Sequence, residues 1–147
     1  MKPIDGSNRE LYSKLNTWCM SDSSKLSRSR KPLRFLRAAK RDYDALPSDV
    51  QDDAGYNLDR VQQGKNPQIS FKPLHGLGGG IMELRLSHNT DAFRVVYVAQ
   101  LSEAVFVLDA FKKKSPSGKR LPRNVEERIK ERYKLAKAFN KQLKSQL

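Results

Sequence analysis

Two consecutive segments, FRVVYVA at 93–99 and EAVFVLDAF at 103–111, are apolar at almost every position. Runs of this length, rich in Val, Phe and Tyr, predict strands buried on both faces at the centre of a sheet. The segment before them, 80–87, alternates instead. Met82, Leu84 and Leu86 interleave with Glu83, Arg85 and Ser87, which predicts a half-buried strand with one polar face. The connections are too short for crossovers, so the three strands form an antiparallel meander.

Helical spacing flanks this sheet. After a short strand candidate, PLRFL, the residues Leu36, Ala39, Tyr43 and Leu46 recur at helical intervals, and Pro47 stops the helix. Ser48 and Gln51 fit an S-x-x-Q capping box for a second helix. That helix has a buried stripe of Val50, Ala54, Leu58 and Val61 and ends at Gly64. The pair predicts a hairpin with an acidic outer face of Asp42, Asp44, Asp49, Asp52 and Asp53. Residues 65–80 look like a loop closing on a glycine run that bends into the strand. A long helix ends the chain, with Val125, Ile129, Tyr133, Ala136, Phe139 and Leu143 as its apolar stripe and Lys and Arg elsewhere. The expected order is β-α-α-β-β-β-α. This is an α+β fold, a small antiparallel sheet packed against an N-terminal helical hairpin, with a long basic C-terminal helix.

The first 31 residues stand apart. Ser7 and Glu10 suggest a capped short helix with Leu11, Leu15 and Trp18 on one face, and a Ser-, Lys- and Arg-rich linker follows. The expected organisation is an extension at 1–31 and one domain at 32–147. No run approaches the ~18 apolar residues of a membrane span. No secretory h-region is visible, and Cys19 is the single cysteine, so a cytoplasmic setting without disulfides or a membrane is expected.

The net charge of +13 is unevenly placed. Residues 32–111 hold nine basic and ten acidic side chains, whereas 112–147 hold thirteen and three. Such a polarised field favours a polyanion, because basic groups displace counterions condensed on phosphates. Other chemistries find little support. Two histidines, His75 and His88, and one cysteine do not make up a usual zinc set. The glycine run after His75 precedes a strand rather than a helix, the reverse of a dinucleotide-binding turn. No metal site and no cofactor are expected.

What remains are charged residues inside apolar strands. Arg94 cannot lose its charge, so it faces solvent, a ligand phosphate or a carboxylate, with Glu83 and Asp109 as candidate partners. Glu83 and Arg85 share one strand face. Lys112, Lys113 and Lys114 leave the last strand, and Lys119 and Arg120 extend the basic loop. In a meander these groups converge. A basic sheet face suits RNA, whose 2′-hydroxyl is an internal nucleophile needing a base, charge stabilisation and an acid. A lysine among cations has a depressed pKa and takes part in proton transfer. Glu83 and His75 are candidate bases, with His88 a further one; both histidines also fit ordinary loop positions.

The pieces GLGGGIMELR, AFRVVYV and VFVLDAFKKKS, with Pro122 opening the last helix, occur in an order and spacing that resembles the phage-derived HigB-like branch of the RelE/ParE toxin superfamily. The resemblance covers about 32–137. It implies a toxin of a type II toxin–antitoxin system, a ribosome-dependent mRNA endoribonuclease that inhibits translation. It also implies a cognate antitoxin, usually a helix-turn-helix DNA-binding protein. On this resemblance Arg94 sits at the scissile phosphate, Glu83 and Arg85 fall where RelE-type toxins carry basic active-site residues, and Lys112 and Lys113 match the basic strand exit. The catalytic set is then Arg94, Arg85, Glu83 and Lys113, with Lys112, Lys114, Lys119 and Arg120 binding RNA. Two other readings share the fold: a ParE-like toxin that poisons DNA gyrase without chemistry, and a phage accessory protein without toxicity.

Overall fold

The computed structural model describes residues 30–113 and 121–146. The proposed N-terminal extension therefore lies almost wholly outside the described residues, as do Lys114, Lys119 and Arg120. The two residues of the extension that are described are tied to the body. Arg30 pairs with Asp59. Lys31 donates its backbone N–H to Gln62 O at 3.0 Å and its ammonium to Leu101 O at 2.8 Å.

The elements are β1 (Leu33–Phe35), α1 (Arg37–Asp44), α2 (Ser48–Gln62), β2 (Phe71–Pro73), β3 (Ile81–His88), β4 (Asp91–Val98), β5 (Val105–Lys112) and α3 (Arg123–Ser145). They build an α+β protein on one five-stranded sheet of order β1-β5-β4-β3-β2. Two features differ from the sequence-based expectation. The sheet is mixed, because β1 runs parallel to β5, with Leu33 opposite Val105. The segment 65–80 is not all loop: Phe71–Pro73 adds an antiparallel edge strand, with Lys72 opposite Glu83. Its N-terminal neighbour Ser70 accepts a further bond from Arg85 N–H at 2.9 Å.

The central three strands form the expected antiparallel meander. Asn89 and Thr90 make the two-residue β3–β4 turn, both at positive φ (50° and 69°). This is the geometry of a type I′ hairpin, whose twist matches that of the flanking strands. Between β4 and β5 the register slips: Val96 faces Asp109, but Tyr97 faces Val107. Leu108 is thus the extra residue of a bulge, a device that re-aims neighbouring side chains.

Apolar spacing accounts for how the helices pack. Ala39, Tyr43, Val50, Ala54, Leu58 and Val61 are buried on α1 and α2, and Val125, Ile129, Tyr133 and Ala136 on α3. Together with the sheet residues they form one core. Gly64, at φ 83°, follows the last turn of α2 as the left-handed C-terminal glycine that sequence predicts. The expected capping box does not form. Pro47 takes the N-cap position and Ser48 begins the helix without a side-chain cap. Gln51 turns back to α1 instead, donating to Leu46 O at 2.8 Å and Asp44 O at 3.1 Å. A proline at the cap fixes the chain direction by its ring, so the hydroxyl is displaced one position into the helix.

The glycine run bends into β3 as expected, and it also lets other elements approach closely. A Cβ on Gly78 would fall 2.4 Å from the Tyr133 ring, and Tyr133 donates its hydroxyl to Gly79 O at 2.9 Å. The bend therefore doubles as a seat for α3.

The acidic face of the hairpin is partly consumed by this packing. Asp42 accepts from Arg132 of α3 at 3.1 Å, whereas Asp44, Asp49, Asp52 and Asp53 are exposed.

Candidate nucleic-acid interface

Strand alternation sends Glu83 and Arg85 to the same face of β3. Register places Arg94 directly opposite Arg85, and Phe111 of β5 opposite Arg94. Lys113, two residues beyond Phe111, shares that face, and its backbone N–H is held by Ala92 O at 2.8 Å. The four residues Glu83, Arg85, Arg94 and Lys113 are thereby brought together by three adjacent strands.

Two guanidiniums share one carboxylate oxygen at the centre. Arg85 Nε and Arg94 Nε each lie 3.7 Å from Glu83 Oε2. Glu83 is 5% exposed and Arg94 8%, whereas Arg85 is half-buried. Arg94 also donates from Nη1 to the Phe93 carbonyl at 2.9 Å. Like charges directly opposite on neighbouring strands repel. Glu83 neutralises only one of the two, so the cluster keeps a net positive charge before any lysine is added.

That charge acts on its neighbours. Burial pulls the Arg94 guanidinium below its ordinary pKa, with Glu83 opposing and Arg85 reinforcing the shift. The Lys113 ammonium is also held below the ordinary lysine range. Burial contributes most, then repulsion from Arg94 and Arg85; Glu83 partly offsets these, and Lys72 adds to the depression. A lysine of this kind surrenders its proton more readily than a solvated one. The site thus has two fixed cations, one more labile cation and one buried anion that holds the arginines in place.

Other sequence candidates fall elsewhere. Lys112 points to the opposite face, since it alternates with Lys113, and its ammonium lies 3.4 Å from Asp91. His88 is on that opposite face too, with Nδ1 3.9 Å from Asp49 of α2. His75 is exposed in the β2–β3 turn. The alternative Arg94–Asp109 pair does not occur. Asp109 is fully buried and belongs to α3: Arg128 Nε donates to it at 2.8 Å, and Arg132 Nη1 lies 3.2 Å away. Arg132 also reaches Asp42 at 3.1 Å and the carbonyl of the bulge residue Leu108 at 3.0 Å. Burial raises the Asp109 pKa, while the two arginines favour its charged form. This network ties α1, β5 and α3 into one piece beside the cationic cluster, on the same face of the sheet.

Sequence reasoning missed Lys72. Its strand is three residues long and ends in proline, so no periodicity separates it from a loop. The one available signal is Ile69 and Phe71, apolar at a spacing of two before Pro73. Among the described residues, no group of three or more His, Cys, Asp or Glu side chains is arranged to hold a metal ion. No described helix is long and apolar enough to cross a membrane.

A mixed sheet flanked by an N-terminal helical hairpin and a C-terminal helix, with a cation cluster on its strands, defines a RelE-like α+β protein. Within that class the chain belongs to the family described as Phage derived protein Gp49-like (DUF891), whose model matches residues 41–134. The family is one of RelE/HigB-like toxins. The match includes every member of the cluster and both residues of the Arg85–Arg94 pair. No curated protein matches the chain.

Proposed function

We propose that this protein is the toxin of a type II toxin–antitoxin pair and an endoribonuclease that cuts mRNA on the ribosome. The observation that carries the reading is the pair of arginines on one buried glutamate, flanked by a lysine with a depressed pKa. Phosphoryl chemistry on RNA needs such a set. Attack of the 2′-oxygen on phosphorus builds charge on the non-bridging oxygens, and preorganised cations in a partly desolvated site stabilise it. In this reading Arg94 and Arg85 take that role.

Bond making and breaking then balance within the RNA. The 2′-oxygen forms its bond to phosphorus and passes its proton to a solvent water, which acts as the base. The bond from phosphorus to the 5′-oxygen breaks, and that oxygen receives a proton. The products are a 2′,3′-cyclic phosphate and a 5′-hydroxyl. Lys113 supplies the proton to the leaving oxygen, because its lowered pKa favours release. Glu83 serves as the anchor of the arginines: it is buried and already faces both guanidiniums. The ribosome aligns the message, which lets a small set of side chains suffice. In this reading the protein acts in the cytoplasm and is neutralised by a cognate antitoxin with a helix-turn-helix DNA-binding domain.

Induced expression with primer extension tests the proposal. The expected result is arrest of translation with cuts that require ribosomes, both lost in Arg94→Ala. An Arg94→Ala protein as toxic as the parent overturns the assignment. Intact mRNA with blocked DNA supercoiling replaces it with the gyrase-directed alternative.

A further inference from the structure

The cationic cluster continues past the residues assigned above. On one face of the sheet, four elements that are neighbours in space each contribute one cation: Lys72 from β2, Arg85 from β3, Arg94 from β4 and Lys113 from the exit of β5. Lys72 stands directly opposite Glu83 and therefore shares its face. Its side chain is exposed, and among the described residues no carboxylate lies within ion-pair distance of it. Glu83, its register partner, is taken up by the two arginines.

The cations do not lie in one row. Lys72 is level with Glu83, Arg85 and Arg94 are two residues further along, and Lys113 is level with Ala92 beyond them. The line they trace is oblique, from the edge strand to the exit of β5. Neighbouring strands are ~4.8 Å apart, so three spacings cover ~14 Å across, and the four-residue offset adds ~13 Å along the strands. The oblique path is ~20 Å, room for about five to six stacked nucleotides at ~3.4 Å each. Running along the strands is blocked on one side, where Asp109 is sealed beneath Arg128 and Arg132 of α3.

We propose that Lys72 is a substrate-binding residue, engaging an RNA phosphate adjacent to the one held by Arg85 and Arg94, so that the RNA strand crosses the sheet obliquely from β2 to Lys113. This deepens the endoribonuclease reading and rests on it. It makes the three-residue edge strand part of the site. Lys72 also adds to the depression of the Lys113 pKa, so the charges at the two ends of the line act on each other.

The test uses the full chain and 2′-O-methyl RNA, which lacks the nucleophile and cannot be cut. Binding of a labelled pentanucleotide and of a dinucleotide is measured across a salt series for the parent, Lys72→Ala, Lys72→Arg and Arg94→Ala. The expected result is a loss of about five- to tenfold for Lys72→Ala on the pentanucleotide, with the slope of log affinity against log salt reduced by ~0.7. Lys72→Arg restores both, and the dinucleotide does not register the change. A pentanucleotide affinity and salt slope unchanged in Lys72→Ala, with binding lost in Arg94→Ala, overturns the Lys72 assignment and leaves the arginine site standing. An Arg94→Ala protein that binds as the parent does overturns the site itself, and Lys72 falls with it.

Discussion

Arg85 and Arg94 face each other across β3 and β4, and one oxygen of Glu83 lies 3.7 Å from each. Two cations in that position are unfavourable without the carboxylate. Glu83→Gln is therefore expected to destabilise the protein by about 2–3 kcal/mol, because it leaves a buried guanidinium facing a like charge. Adding Arg94→Met to Glu83→Gln recovers most of the loss. Urea denaturation of the two variants measures this, and an unchanged midpoint for Glu83→Gln removes the anchor role.

The same carboxylate and arginines set the proton affinity of Lys113. Its pKa is depressed by burial and by Arg94 and Arg85, and raised by Glu83. Arg94→Ala should move the Lys113 titration up in pH, and Glu83→Gln should move it down. NMR of the lysine Cε–Hε resonances reads both shifts. Equal values in parent and variants mean that the cluster does not act on Lys113.

Beside the site, Asp109 depends on α3. Removing one partner of a buried ion pair costs more than the pair contributes, since the remaining charge stays buried. Arg132→Ala should cost about 3 kcal/mol. The double variant Arg132→Met with Asp109→Asn should cost less than Arg132→Ala alone. Thermal unfolding of the three proteins decides the order.

Tyr97 sets an alkaline limit. Burial pushes its pKa up to about 12. A raised folded pKa means that stability is intact below the unfolded value of ~10 and is lost as pH rises through about 12. Between these limits the loss approaches ~1.4 kcal/mol per pH unit. Tyr97→Phe should unfold less steeply in that window. Parallel curves for the two proteins exclude the contribution.

Thr90 is a β-branched residue at φ 69° in the β3–β4 turn. Glycine takes that conformation without strain and is the preferred second residue of a type I′ turn. Thr90→Gly should stabilise the protein by about 0.5–1 kcal/mol, read as a raised midpoint in denaturant.

The three long strands were legible because a pattern, alternating in β3 and continuously apolar in β4 and β5, persists long enough to separate strands from turns. β2 was not, since Phe71–Pro73 is too short to show a period. The parallel β1–β5 contact was equally hidden, because pairing between distant segments leaves no local mark on LRF. Within the site, alternation identified the shared face of Glu83 and Arg85, and Arg94 declared itself as a charge in an apolar strand. Alternation does not tell what covers a face, so the polar face of β3 gives no sign that Glu83 is buried while Arg85 is only half-buried. It also does not tell which carboxylate an arginine meets. Asp109 stood as a candidate for Arg94, but its partners, Arg128 and Arg132, come from a helix whose position depends on the whole core. Ser48 and Gln51 show the same limit: a correct helix start, with a different residue at the cap.

The parallel contact between β1 and β5 bears on when the sheet is completed during synthesis. Within the sheet, β1 has β5 as its sole strand neighbour, so the first strand of the body waits for the last one to emerge. During synthesis at ~5–20 residues per second, that delay lasts on the order of several seconds. The cationic face is completed by the exit of the same late strand, and α3, which seals Asp109, follows it. The cationic face is thus incomplete until the chain has been made as far as Lys113. The topology works as a timer, withholding the assembled cluster until most of the fold has been synthesised.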